Sequence, residues 1–144
     1  MNILHLHWKF NIGGSETHLF ELALMQKKMN LHPIIVCTYL KNKNYIEQFD
    51  RHGIPIYEVD KEKEIENLIN NHKIDIIHAH SSSIYSEAVS IGKKTNKPVV
   101  ATLHGINAID KPGATEMDEY IAVSKEIYDK VRANHPSLSV TIIE

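Results

Sequence analysis

The sequence predicts a doubly wound α/β fold, one parallel sheet of about seven strands with helices on both faces. Three observations carry that expectation. Short apolar runs alternate with helix-length amphipathic segments from the first residues to the last, the order of repeated β-α-β units. Several runs are apolar at successive positions, as strands covered on both faces are. The connections are short, and no repeat, low-complexity tract or linker interrupts them, so the 144 residues, 42% of them hydrophobic, fit a single domain spanning 1–144.

Asn2 to His7 is the first strand, and Leu19 to Met29 belongs to the first helix, starting at Ser15. Between them stands Asn11-Ile12-Gly13-Gly14-Ser15-Glu16-Thr17-His18, whose glycine pair lets the backbone turn sharply and lets a ligand approach its N–H groups. His32 to Thr38 is the second strand, and Tyr45 to Phe49 sits in the second helix, with Gly53 placed as its C-cap. Ile54 to Val59 is a third strand whose Pro55 suits a sheet edge or a strand start. Ile65, Leu68, Ile69 and His72 mark one stripe of the third helix. Asp75 to His80 is the fourth strand; Ile84, Ala88 and Ile91 give the next helix its stripe, with Gly92 and Lys93-Lys94 expected to close it. Pro98 to His104 is the fifth strand. Gly105 to Asp118 has no clear period, and loops of that length are often functional. Glu119 to Val123 is the sixth strand, Ser124 the N-cap of a helix carrying Ile127 and Val131 that ends before Pro136, and Val140 to Glu144 the seventh strand.

Composition narrows the function classes. A net charge of −2 gives no global field favouring nucleic acid or an anionic membrane. The single cysteine, Cys37, excludes an intramolecular disulfide and reads as a buried, reduced thiol, so the cytoplasm is the expected compartment. No run approaches the roughly 20 apolar residues of a membrane span, and the first residues lack signal-peptide order. A peripheral membrane contact is left open.

In open parallel sheets, ligands bind beyond the carboxyl ends of the strands where strand order reverses. With the order 3-2-1-4-5-6-7, the crevice lies between strands 1 and 4. It would gather the glycine pair, His80 with Ser81-Ser82-Ser83, and His104. The first turn lacks G-x-G-x-x-G and the P-loop lysine, and strand 2 ends without an acidic residue, so a nicotinamide enzyme is disfavoured. Glu16 competes with a bound anion for the helix dipole, unless it faces away or pairs with Lys9. His5-Leu6-His7 and His78-Ala79-His80 each put two imidazoles on one side of a strand. The carboxylates that would complete a hydrolytic metal site are missing from comparable positions, so hydrogen-bonded histidines at a polar crevice are expected, and no metal or other cofactor. His5 and His78, inside strands, read as core; His7, His80 and His104, at strand ends, as functional.

Taken together, Gly13-Gly14-Ser15-Glu16, Asp75 to Ser81, Val99 to Gly105, Ala122-Val123-Ser124 and Val140 to Glu144 resemble, in order and from end to end, the N-terminal domain of a family 4 glycosyltransferase with the GT-B fold. The resemblance implies a Rossmann-like, acceptor-side domain of an enzyme that transfers a sugar from a nucleotide-diphosphate donor to a carbohydrate or glycolipid acceptor with retention of configuration. It implies that Gly13 and Gly14 approach the donor diphosphate, and that His104 points into the cleft near the transferred sugar, with His80 beside it. Lys9, Ser81, Gly105 and Ser124 complete the implied substrate contacts. His104 is expected to position and hydrogen-bond, since in a front-face mechanism the leaving phosphate takes the acceptor proton. The donor-binding C-terminal domain is absent from these residues, so the 144-residue chain is expected to be inactive alone. Two other classes stay open: a stand-alone Rossmann-like module binding a nucleotide or anion, and a metal-dependent hydrolase.

Overall fold

A computed structural model describes residues 1–10 and 13–143. Seven strands form one sheet in the order β3-β2-β1-β4-β5-β6-β7, every neighbouring pair parallel. The elements run β1 (Asn2–Phe10), α1 (Gly14–Lys28), β2 (His32–Leu40), α2 (Asn44–Arg51), β3 (Ile56–Glu58), α3 (Glu62–Asn71), β4 (Ile76–Ala79), α4 (Tyr85–Thr95), β5 (Val99–Leu103), β6 (Glu119–Ala122), α5 (Lys125–Asn134) and β7 (Val140–Ile142). Strand order reverses at β1, which is the order the expected crevice between strands 1 and 4 requires.

Strand periodicity divides the core in two. Leu4, Leu6, Ile77, Ala79, Val99, Ala101 and Leu103 point to the face covered by α3, α4 and α5, where Ile65, Ile69, Ala88, Ile91, Ile127 and Val131 meet them. On the opposite face Phe10, Ile35 and Cys37 pack against Leu19 and Ala23 of α1 and Tyr45 and Phe49 of α2. Towards the carboxyl ends of the central strands that second face carries a buried polar set, His5, His7, His78, His80 and Thr102, while Ile3, Ile76 and Val100 lie on the same face nearer the amino ends. His5 and His78 stand directly opposite one another in the β1–β4 register. A polar strip thus runs under α1 towards the carboxyl end of the sheet.

Several boundaries differ from expectation: β2 runs on past Thr38 to Leu40, and β3 shortens to Ile56–Glu58. β1 continues through Trp8, Lys9 and Phe10, because Lys9 and Phe10 keep pairing with Tyr39 and Leu40 of β2. α1 starts at Gly14, one residue early. Gly92 does not close α4; the helix runs to Thr95 and stops at Asn96, whose φ of 56° is left-handed. Gly92 serves packing instead, since a Cβ there would lie 2.5 Å from Val99 Cγ2. Gly53, expected as the C-cap of α2, comes one residue after the C-cap His52, at φ 67°, and Ser124 Oγ accepts the Ile127 N–H at 3.3 Å to cap α5 as expected. β7 is assigned over Val140–Ile142; the predicted Glu144, like Asn11 and Ile12 of the first turn, lies outside the described residues.

Candidate functional site

The carboxyl ends of β4 and β5 open into a cavity of about 470 Å³ lined by Ser15, His80, Ser81, Ser82, Tyr85, His104, Gly105, Ile106, Asn107, Ala108 and Lys111. It sits beside the point where strand order reverses. The chain after β4 enters a single 3₁₀ turn over Ser82–Ile84 before α4, which sets Ser81 and Ser82 at the cavity wall. The Gly105 to Asp118 segment forms the other wall and is tightly anchored. Ala108, Ile109, Ala114 and Met117 are buried. Gly113, at φ 80°, packs on the backbone of Tyr85 and Ser86, 2.9 Å from the position a Cβ would take. Lys130 of α5 donates to Ile106 O at 2.8 Å and to Asp110 Oδ2 at 2.6 Å.

Beneath this rim the histidines form a connected set. Gln26 Oε1 lies 2.7 Å from His5 Nε2, and His5 Nδ1 lies 2.8 Å from His80 Nε2. An amide oxygen only accepts, so His5 carries its proton on Nε2 and offers a lone pair at Nδ1. His80 must then donate from Nε2, which leaves a lone pair on its Nδ1. That nitrogen is buried and has no hydrogen-bond partner among the described residues. The same logic applies at His7: Ser15 Oγ donates to Glu16 Oε2 at 3.0 Å and lies 3.2 Å from His7 Nε2, so His7 donates there and keeps its Nδ1 lone pair. His78 Nε2 lies 2.6 Å from Thr102 Oγ1, and its ring stacks on His80 with centroids 3.9 Å apart. His104 Nε2 is also buried without a partner among the described residues, and the His104 ring meets His18 edge-on at 5.2 Å.

Burial keeps these rings neutral. It pushes His5 and His104 down to about 4, with the nearby His18 adding to the shift in both. His78 and His80 fall well below the ordinary imidazole value for the same reason, reinforced by each other's proximity in the case of His80. His7 is lowered by burial too, though Glu16, whose carboxylate oxygen is 3.9 Å away, opposes that. Cys37 is a buried thiol pushed up to about 12, an inert core residue as the sequence implies.

Of the sequence-predicted site residues, His80, His104, Ser81 and Gly105 come together at the cavity. Gly13 is extended at φ 178°, and a Cβ on it would meet the Glu16 carboxylate at 2.7 Å; a Cβ on Gly14 would meet nothing within 4 Å, so the approach there is open. Lys9 Nζ lies 5.1 Å from the Trp8 ring centre, and neither Lys9 nor Ser124 lines the cavity. His18, Gln26, Tyr85 and Lys111 belong to the site or its support and were not singled out by the sequence. The spacing of Ser15, His18, Leu22 and Gln26 on α1 is the signal that could have found two of them, since these positions share one helical face.

A doubly wound parallel sheet with a cavity lined by histidine and serine beside its switch point is the Rossmann-like arrangement that matches the halves of GT-B glycosyltransferases. The chain belongs to Glycosyltransferase Family 4, whose profile matches residues 12–143. No curated protein matches it by sequence. Its fold is similar to that of a glycosyltransferase from Rickettsia africae, with a TM-score of 0.79 and 20% identity, over 99% of this chain and 42% of that one. It is also similar to Anabaena Alr3699/HepE, solved with UDP-glucose, with a TM-score of 0.79 and 16% identity, over 99% and 43% of the two chains. A lipopolysaccharide outer core galactosyltransferase, WaaB, matches with a TM-score of 0.72 and 15% identity, over 98% and 44%. The chain therefore spans about two fifths of the length of these proteins. No described helix is long and apolar enough to cross a membrane.

Proposed function

We propose that this chain is the acceptor-side, N-terminal wall of a retaining glycosyltransferase, and that it acts with a second domain that binds a nucleotide-diphosphate sugar. The observation that carries this reading is the meeting of His80, Ser81, His104 and Gly105 around one cavity at the switch point of a family 4 domain. The UDP-glucose complex of Alr3699/HepE supports a nucleotide-sugar donor for a protein of this fold.

In this reading a neutral His104 hydrogen-bonds the acceptor hydroxyl or the transferred sugar, and His80 supports it from the cavity floor. Neither ring needs to act as a base. A ring held to about 4 is a weak proton acceptor, which suits positioning better than proton removal. Proton transfer to the leaving phosphate balances the step: the acceptor oxygen bonds to the anomeric carbon, the bond from that carbon to the diphosphate oxygen breaks, and the diphosphate takes the hydroxyl proton. The N–H groups near Gly13 and Gly14 contact the diphosphate once the donor domain closes on this one. Lys9 and Ser124 enter the proposal only as cleft-edge contacts made on closure.

The test is His104→Ala in the complete two-domain enzyme, beside the isolated 144-residue chain. Turnover should fall by about 10²-fold or more in the variant, and the isolated chain should transfer no sugar. Wild-type turnover by the variant overturns the role of His104; turnover by the isolated chain overturns the need for a second domain.

A further inference from the structure

Three imidazoles converge at the edge of the cavity, and the hydrogen-bond chain behind one of them leaves a ring nitrogen that no described residue uses. One ring nitrogen from each of His18, His80 and His104 lies within 4.8 Å of the other two. We propose that His18, His80 and His104 form a binding site for one divalent transition-metal ion of the zinc class.

The donor set is right for that class, because neutral imidazole favours zinc and its neighbours over magnesium or calcium. Two of the three ligands already present what a metal needs. His80 is 2% exposed, and its Nδ1 lone pair is fixed by the Gln26–His5–His80 chain and is unpartnered among the described residues. His104 Nε2 is buried and unpartnered in the same way. A ligating histidine characteristically donates its other N–H to an acceptor that locks ring and tautomer. His5 Nδ1 is that acceptor for His80, and Gln26 locks His5 in turn.

The third ligand completes the set from α1. His18 is half-buried on the first turns of that helix, with its ring 5.2 Å from His104 and 6.3 Å from His80. A tetrahedral ion holds nitrogens at about 2.0–2.1 Å, so the three rings must draw in on binding. Three protein ligands leave a fourth position for water or an anion from the cavity. The deeper trio of His5, His78 and His80 is not the site, because His5 and His80 spend facing nitrogens on each other and His78 is bonded to Thr102.

The 144-residue chain is titrated with Co²⁺, read by visible absorption, and with Zn²⁺ in competition with a chromophoric chelator. One equivalent should bind, with the intense d–d bands of a tetrahedral cobalt centre. His18→Ala and His104→Ala should each weaken Zn²⁺ at least 10-fold, and Gln26→Met about 10-fold through loss of the lock on His5. His32→Ala, at an exposed histidine at the start of β2, should leave affinity unchanged. Circular dichroism confirms that each variant is folded. Absence of binding at micromolar metal, or undiminished affinity in both His18→Ala and His104→Ala, overturns the site. Neither measurement reads sugar transfer, so failure of metal binding leaves the glycosyltransferase reading untouched; where the ion is bound it occupies the His104 nitrogen that reading gives to the acceptor, and the metal-bound chain is then a blocked state of the same cleft.

Discussion

His5 Nδ1 and His80 Nε2, 75 residues apart in sequence, lie 2.8 Å from one another beneath α1, and the direction of that hydrogen bond is set by Gln26. The bond ties the middle of β1 to the residue just beyond β4. Its polarity decides which nitrogen of His80 faces away from the core.

That polarity can be read directly. In ¹⁵N-edited spectra of the chain, His80 should show a protonated Nε2 and an unprotonated Nδ1, and His5 likewise. Gln26→Met removes the fixed acceptor, and the His5 and His80 signals should then move to values averaged between tautomers. Gln26→Glu keeps an acceptor in place and should preserve the wild-type pattern. Unchanged His80 shifts in Gln26→Met would show that the chain of bonds does not set the tautomer.

Neutral buried histidines make the fold acid-sensitive. The folded-state value of His5, about 4, lies below its unfolded value of about 6.5, so the unfolded chain binds the proton more readily. Its contribution is full above pH 6.5 and is lost progressively as pH falls from there towards 4. At pH 5, His5 alone should cost on the order of 2 kcal/mol, and His78, His80 and His104 act in the same direction. Urea midpoints at pH 7.5 and 5 check this. Equal midpoints would contradict it.

The α4–β5 contact depends on a missing side chain. Gly92→Ala places a methyl group 2.5 Å from Val99 Cγ2 and 3.1 Å from Lys97 O. Stability should fall by about 1–3 kcal/mol despite the better helix propensity of alanine. In a Val99→Ala background the same change should cost less, and a double-mutant cycle in urea would expose the coupling. Additive effects would place the strain elsewhere.

The strands were legible in the sequence because each announces itself as a short apolar run joined to the next by a helix; their spatial order was only a condition in that reading, and the crevice follows from the order once the structure supplies it. His80 and His104 were legible for the same reason: they are the first polar residues past β4 and β5. What the sequence hid is contact between elements. Nothing near Gln26 says that it will meet His5, and His18 stands out only once α1 is laid across β1 and β4. Gly92 misled because a glycine before two lysines reads as a helix terminus, whereas its function depends on Val99, seven residues later in another element. The charged Lys9 concealed the last residues of β1, where backbone pairing of Lys9 and Phe10 with β2 continues the strand.

The wall from Gly105 to Asp118 has one more consequence, for how such a domain can diversify. Its buried side chains, Gly113 and Lys130 hold the backbone, while Gly105, Asn107 and Lys111 face outward at the cavity lip. Exposed positions on an anchored frame can be exchanged one at a time with little effect on folding. The lip can therefore drift towards new ligands by single substitutions, without insertions and without disturbing the histidines below it.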